Sequence, residues 1–330
     1  MALDFPPVES YFSKEGVRLL WFWLILALAV LFLGTCFGFF LIACKRMDSL
    51  SADLNKTLER PVYRDCKEEI LAGLEEMASR PHETVTVSSY DGLKLVAEFY
   101  PQDNARGTIL MFHGWRGSPE SDFGCAMTAY YKKGLNLLLV HQRTQGSSEG
   151  KFITFGIRES RDVHSWVQWH ADRFGEEAPI LITGISMGAT TVLMSAGQPY
   201  CANVRGLIAD CGFTSPKEII ASVVGGKGLP GALIVPVMGA FARIFAGFGF
   251  REYSTLDAVK DLKLPVIFAH GKEDKFVPCY MTEKAYDLCG SEDKTLIVVE
   301  NAGHGASYLV DRENYETKIA DFVNRCLKGS

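Results

Sequence analysis

Hydrophobic and polar positions divide the chain into four stretches of different character. Residues 1–18 form an N-terminal tail that mixes charged, polar and apolar side chains with no sustained period. Residues 19–43 then run 25 positions without a charge, bounded by Arg18 before and by Lys45-Arg46 after. As a helix this run would be roughly 37 Å long, against roughly 30 Å for a bilayer's hydrocarbon core, so it predicts a tilted transmembrane helix over residues 19–44. Trp21 and Trp23 suit its interfacial end. Residues 45–82 are charged, with Leu50, Leu54 and Leu58 and then Ile70, Leu71, Leu74 and Met77 at helical spacing on either side of Pro61. That pattern predicts an amphipathic linker of two short helices, a stalk packed on the domain that begins near residue 83.

The period changes at Thr84. Thr84-Val85-Thr86-Val87 and residues 93–100 flank Asp91-Gly92, the signature of a hairpin. Apolar runs at 107–112, 135–140, 178–183, 204–209, 265–269 and 295–299 come next, alternating with helical stretches such as 121–133 and 156–173. This alternation predicts an α/β domain over residues 83–330, a mostly parallel sheet with helices on both faces and ligands at the carboxyl ends of its strands. Residues 213–262 are too long for a simple crossover and read as an insertion. Within it, residues 229–250 are apolar, carry only Arg243 as a charge and contain Pro230 and Pro236. We read this stretch as a helical lid over the active site, able to dip into a bilayer surface. A second membrane span is the rival, opposed by the prolines and by the position inside the αβ alternation.

Charge and cysteine content narrow the partners. A formal charge of -5 and scattered Lys and Arg leave no electrostatic footprint for nucleic acid. The nine cysteines contain no C-x-x-C pair and are odd in number, which favours free thiols in a reducing compartment over a disulfide or zinc framework. Lys45, Arg46 and Lys56 after the span against Lys14 and Arg18 before it favour a cytoplasmic catalytic domain on a single-pass protein. The alternative is an exported, anchored domain. Leu41-Ile42-Ala43-Cys44 resembles a lipobox that would place a lipid on Cys44, although the apolar run is long for a cleaved signal.

The candidate chemistry starts at Gly184-Ile185-Ser186-Met187-Gly188, between an apolar strand and a small-residue helix. A serine on such a strand-to-helix turn is exposed at the sheet edge, and the flanking glycines relieve a crowded backbone. As a nucleophile Ser186 needs a base, and the base an orienting acid. His304, in Gly303-His304-Gly305 after the last strand, is the candidate base. His164 and His170 lie in a helical stretch and His82 in the linker, so they read as structural or surface residues. Asp274, in the loop after residues 265–269, is the candidate acid, with Asp210 and Glu273 as rivals. An acyl-transfer site also needs two fixed N–H donors for the oxyanion. Met187, directly after the serine, supplies one, and Trp115, after His113-Gly114, is the choice for the other. The Trp115 ring is a candidate wall of an acyl pocket, and His113 reads as a structural hydrogen bonder.

Four separated motifs then agree in order and spacing: His113-Gly114-Trp115-Arg116-Gly117-Ser118, the Ser186 pentapeptide, Gly271-Lys272-Glu273-Asp274-Lys275-Phe276-Val277-Pro278 and Gly303-His304. With them the chain resembles the α/β-hydrolase superfamily over roughly residues 84–328. Within it the chain is similar to bacterial membrane-associated hydrolases of the serine-aminopeptidase and monoacylglycerol-lipase-like group. Asp210-Cys211-Gly212-Phe213-Thr214-Ser215 and the loop from Gln142 to Gly150 carry that closer likeness. Thr144 and Gln145 depart from the group's R-G-H-G-x-S pattern, which bears on substrate shape. The resemblance implies the order Ser186, Asp274, His304 as a catalytic triad, an acyl-enzyme intermediate, and no metal or organic cofactor. It implies a small-molecule or lipid ester as substrate. A peptidase on the same fold is the alternative reaction, and an inactive membrane-anchored binding protein the alternative of another class.

Overall fold

A computed structural model of the protein describes residues 14–47, 54, 58, 59, 61–64 and 66–328. The first helix is Lys14–Cys44, five residues longer at its start than the uncharged run, with Glu15 in its first turn favoured by the helix dipole. It is long and apolar enough to cross a membrane. From Leu19 to Leu33 its large side chains are exposed, whereas Cys36, Phe40 and Cys44 are fully buried. These three lie four residues apart, on one face that packs against the rest of the molecule. In the linker, Pro61–Arg64 and Lys67–Ala78 are helical. Ile70 and Met77 are buried there and Leu71 is exposed, as an amphipathic stalk requires. Leu50, and with it most of the first expected linker helix, lies outside the described residues.

Eight strands form the rest of the framework: β1 (Glu83–Ser88), β2 (Lys94–Tyr100), β3 (Gly107–Phe112), β4 (Leu135–His141), β5 (Ile180–Ile185), β6 (Val204–Asp210), β7 (Val266–Gly271) and β8 (Lys294–Val299). They make one sheet in the order β1-β2-β4-β3-β5-β6-β7-β8. The β1–β2 and β2–β4 pairs are antiparallel, and every pair from β4 through β8 is parallel. β3, β5 and β7 are buried along nearly their whole length because helices cover both faces. One face packs on Val163, Trp166 and Val192, the other on Phe123, Tyr130 and Phe322. The chain order reverses between β4, β3 and β5, and the strand ends on either side of that switch point form the crevice where such sheets bind ligands.

Between β6 and β7 the expected insertion is helical: Pro216–Gly226, then Gly231–Phe241 continuing as a π-turn over Ala242–Ala246, then Thr255–Val259. Ser215 caps the first of these, accepting from the Glu218 N–H with Pro216 next to it. Pro236 sits inside the second without ending it, because the lost N–H costs one bond in a helix held by burial of Ile234, Val235 and Met238. Together with Phe40, Phe155 and Phe213 these side chains make a third apolar cluster that joins insertion, membrane-type helix and sheet edge.

Candidate active site

Ser186 sits between β5 and the helix Met187–Ser195 with φ 56° and ψ -118°, outside the regions that L-residues ordinarily occupy. Two close approaches make this turn possible. A Cβ on Gly184 would lie 2.3 Å from the Gly188 carbonyl, and one on Gly188 would lie 1.8 Å from the Phe112 carbonyl oxygen. The helix therefore packs directly on the end of β3, which fixes the serine at the sheet edge. Gly188→Ala is expected to destabilise the fold by about 3 kcal/mol or more, since backbone rather than a flexible side chain blocks the methyl. Thermal denaturation of the purified chain measures this, and a melting temperature within a degree or two of the unaltered protein would contradict it.

The serine hydroxyl meets His304 at 3.0 Å, Oγ to Nε2, and His304 Nδ1 meets Asp274 Oδ2 at 2.6 Å. The carboxylate accepts from Nδ1–H, which leaves Nε2 free to accept from the serine. Ser186 is 6% exposed and the Asp274 side chain is fully buried, while the imidazole retains a solvent-facing edge. Phe276 packs its ring edge-on to His304 at 5.0 Å. Asp274 Oδ1 accepts from the backbone N–H groups of Phe276 and Val277, each at 2.8 Å. Burial alone would push this carboxyl's pKa up. The bonds from His270, His304 and Val277 outweigh burial and hold it well below the ordinary carboxylate range.

The two rival acids stand elsewhere. Asp210, at the end of β6, is buried with Oδ1 accepting from Ser307 and Oδ2 from Tyr315, and its main-chain carbonyl accepts the Ser186 N–H at 2.8 Å. Burial pushes its carboxyl up. Glu273 is exposed. Of the other histidines, His164 bonds the Ser195 carbonyl and His170 the Thr108 hydroxyl. His113 is fully buried, between the Gly114 carbonyl and the Gln142 N–H. All three tie elements together, His164 and His170 through helix and strand contacts and His113 within the loop that packs beside the serine turn.

On the loop after β3, the Gly114 N–H donates to Asp122 at 2.6 Å, the Arg116 N–H to Gln145 Oε1 at 2.5 Å and the Gly117 N–H to the Gly114 carbonyl. Among the described residues no acceptor meets the Trp115 N–H. Met187 opens its helix, where the first N–H groups have no intrahelical partner. The Trp115 ring lines a cavity of about 260 Å³ that also includes Ser186, Phe155, Phe213, Ile219 and Met238. This is the apolar pocket expected beside the serine.

Three contributors are given no role by the sequence pattern. His270 at the end of β7 is fully buried, with Nε2 2.8 Å from the Val277 carbonyl and 3.2 Å from Asp274 Oδ2. A carbonyl can only accept, so Nε2 carries the proton and braces the Asp274 loop. Gln145, one of the two departures from the group's pattern, orders the Trp115 loop through the Arg116 N–H. Arg143 in the same segment forms paired bonds to Asp162, in the helix Glu159–Phe174, and to Asp91, in the turn between β1 and β2, which pin that loop to both. These links span 4 to 52 positions of chain, and none follows the period of the segment that carries it.

Cys211 Sγ lies within 4.8 Å of the donor atoms of Asp274 and His304. Burial pushes its thiol well up, so it stays protonated, and the other two donors are engaged with one another. The cluster therefore reads as a hydrogen-bonded dyad beside a neutral thiol rather than as a metal site. Cys36, Cys44, Cys66, Cys201, Cys211, Cys279, Cys289 and Cys326 are free.

The strand order, the serine turn at the end of β5 and the loops after β7 and β8 together decide the fold. The chain has the α/β-hydrolase fold. Among solved structures, the Pyrococcus furiosus esterase Pf2001 superposes with a TM-score of 0.61 at 22% identity, over 76% of this chain and 94% of that one. At that identity the likeness is one of fold. Bacillus subtilis YqkD is 30% identical over 199 residues, 60% of this chain and 65% of its own length, so the match spans slightly less than two thirds of that relative. The Saccharomyces cerevisiae membrane protein YNL320W is 23% identical over 245 residues, 74% of this chain and 80% of its own. No family model matches the chain.

Proposed function

We propose that the protein is a membrane-anchored serine hydrolase that cleaves carboxylic esters, thioesters included, with apolar acyl groups. The observation that carries this reading is the hydrogen-bond chain from Asp274 through His304 to Ser186, ending in an apolar cavity. Ser186 Oγ attacks the ester carbonyl carbon while His304 Nε2 takes the hydroxyl proton. Asp274 holds the imidazole tautomer and stabilises the imidazolium. The backbone N–H groups of Trp115 and Met187 hold the oxyanion as the carbonyl carbon becomes tetrahedral. The carbon–oxygen bond to the leaving alcohol breaks, and the alcohol takes the proton from His304. Water then repeats the sequence on the acyl-enzyme, releasing the acid and restoring Ser186.

The membrane helix is retained in this reading. Its last carbonyls accept hydrogen bonds from the catalytic domain, and Cys44 is buried at its end. Cleavage before Cys44 would remove those contacts, which favours an anchor over a cleaved or lipidated signal. We assign residues 19–44 as the span, 45–82 as the linker and 83–330 as the catalytic domain with its lid over about 213–262.

Among the described residues, the apolar pocket lined by Phe155, Phe213, Ile219 and Met238 has no acidic group to receive the α-amino group of a peptide substrate, so we place the ester above the amide. Turnover of nitrophenyl esters of increasing chain length, set beside aminoacyl nitroanilides, tests the choice. Esters are expected to be preferred by at least about 100-fold in kcat/KM, because a buried unpaired ammonium costs several kcal/mol. Preference for the nitroanilides would reassign the protein as a peptidase.

A further inference from the structure

The last turn of an α-helix leaves four backbone carbonyls without intrahelical partners. In the membrane helix these belong to Leu41, Ile42, Ala43 and Cys44, and each is met. Lys45 N–H reaches the first at 3.0 Å and Ile153 N–H the fourth at 2.6 Å. Between them, the Arg116 guanidinium donates to the Ile42 carbonyl at 2.7 Å, and Trp115 Nε1–H to that of Ala43 at 2.9 Å. The two central caps thus come from the loop that presents the Trp115 N–H. The helix end is fastened to the site itself rather than to a remote surface of the domain.

That attachment brings helix side chains into the pocket. Phe39, Ile42 and Ala43 line the same cavity as Ser186, opposite Ile219 and Met238 of the insertion. One helical turn earlier, Phe37 packs on Phe241 and Phe245 with ring centroids 5.1 and 5.3 Å away. The helix and the insertion therefore form two walls of one slot, with the serine at its end. Within the assigned span, the exposed and uncharged part ahead of Cys36, residues 19–35, is about 26 Å long at 1.5 Å per residue, a few Å short of the roughly 30 Å hydrocarbon thickness. The hydrocarbon would then end about where helix and insertion meet, and there Ile244 and Phe245 expose 71% and 52% of their surface. An apolar pair at that level suits the boundary of a bilayer.

We propose that Phe39, Ile42 and Ala43 of the membrane helix are specificity-determining residues, and that the acyl chain of a bilayer-resident lipid ester lies between them and the insertion. The helix is then one wall of the acyl pocket as well as the tether. The proposal rests on the ester-hydrolase reading above. It gives the anchor a role that a soluble fusion of the catalytic domain to another tether would not reproduce.

The test uses the full-length chain in detergent micelles and the ratio of kcat/KM for nitrophenyl laurate over nitrophenyl butyrate. Ile42→Trp narrows the slot and is expected to lower that ratio at least about tenfold, the scale of one methylene excluded from an apolar pocket. Ile42→Ala widens it and is expected to move the preferred chain length upward. A shift in the stated direction in either variant supports the proposal, so a poorly folded Ile42→Trp still leaves the second variant decisive. A ratio within twofold of the unaltered chain in both overturns it. If the unaltered chain hydrolyses neither ester and takes up no fluorophosphonate at Ser186, the reading underneath fails and the proposal with it. That result is distinct from an active enzyme whose chain-length profile ignores residue 42.

Discussion

Replacing Ser186 with alanine is expected to lower kcat for ester hydrolysis by about 10⁴–10⁶-fold with little change in KM. The size derives from the geometry. The serine is the hydroxyl that His304 Nε2 meets at 3.0 Å, and among the described residues no second nucleophile is hydrogen-bonded to that imidazole. The neighbouring thiol of Cys211 is kept protonated by burial. What survives is the contribution of the oxyanion donors and of the apolar pocket, which bind the ester but cannot form the acyl-enzyme. Steady-state kinetics on nitrophenyl butyrate measures the loss, and a decrease smaller than tenfold would show that the reaction runs through another group.

The second large effect is expected at Asp274. With asparagine there, the side chain no longer fixes the His304 tautomer that leaves Nε2 free to accept, and kcat should fall about 10⁴-fold. Stability should change as well, and its pH dependence carries a sign. The Asp274 carboxyl is held well below its ordinary value by His270, His304 and the Val277 N–H, against the upward push of burial. Its contribution is therefore fully present above the unfolded-state pKa near 3.9 and is lost only as pH falls through the lower native value. Asp274→Asn should cost about 2–4 kcal/mol at pH 7 from charge-assisted bonds lost in a buried site. The gap from the unaltered chain should close only below about pH 4. Thermal melts from about pH 8 down to about pH 3 follow the constant gap and the onset of its loss below the unfolded-state pKa, and a gap that closes on the alkaline side would reverse the assignment.

Much of this site was legible in the sequence because strand patterns and strand-end loops are local. The runs at 107–112, 178–183, 265–269 and 295–299 lie within two or three residues of β3, β5, β7 and β8. Once those strands are neighbours in a parallel sheet, Ser186, Asp274, His304 and Trp115 must lie at one edge. The glycines around Ser186 marked the turn in advance, and the close approach of residue 188 to the Phe112 carbonyl shows the reason. What stayed hidden depends on contacts between distant segments. His270 braces Asp274 from a strand whose apolar pattern it interrupts by one residue. Gln145 looked like a departure from a family pattern, yet it orders the loop that carries Trp115. The docking of the N-terminal apolar helix was invisible for a different reason. A run of apolar residues reads the same whether it meets lipid or protein, and only packing separates Cys36, Phe40 and Cys44 from the exposed turns before them.

The same packing bears on the proposed role of that helix as an anchor. A helix whose only task was attachment would need no carbonyl caps from Trp115 and Arg116, and no side chains beside the serine. Burying Phe40 alone is worth roughly 1.5–3 kcal/mol, so the helix end and the catalytic domain are expected to behave as one unit.

Each step of the proposed reaction depends on Ser186 as an activated nucleophile, and covalent labelling of the full-length chain by a fluorophosphonate, mapped by peptide mass spectrometry, measures that directly. One adduct per chain on Ser186, lost in Ser186→Ala and slowed in His304→Ala, is the predicted result. An unlabelled Ser186 in the unaltered, folded chain, or an adduct on another residue, would contradict it.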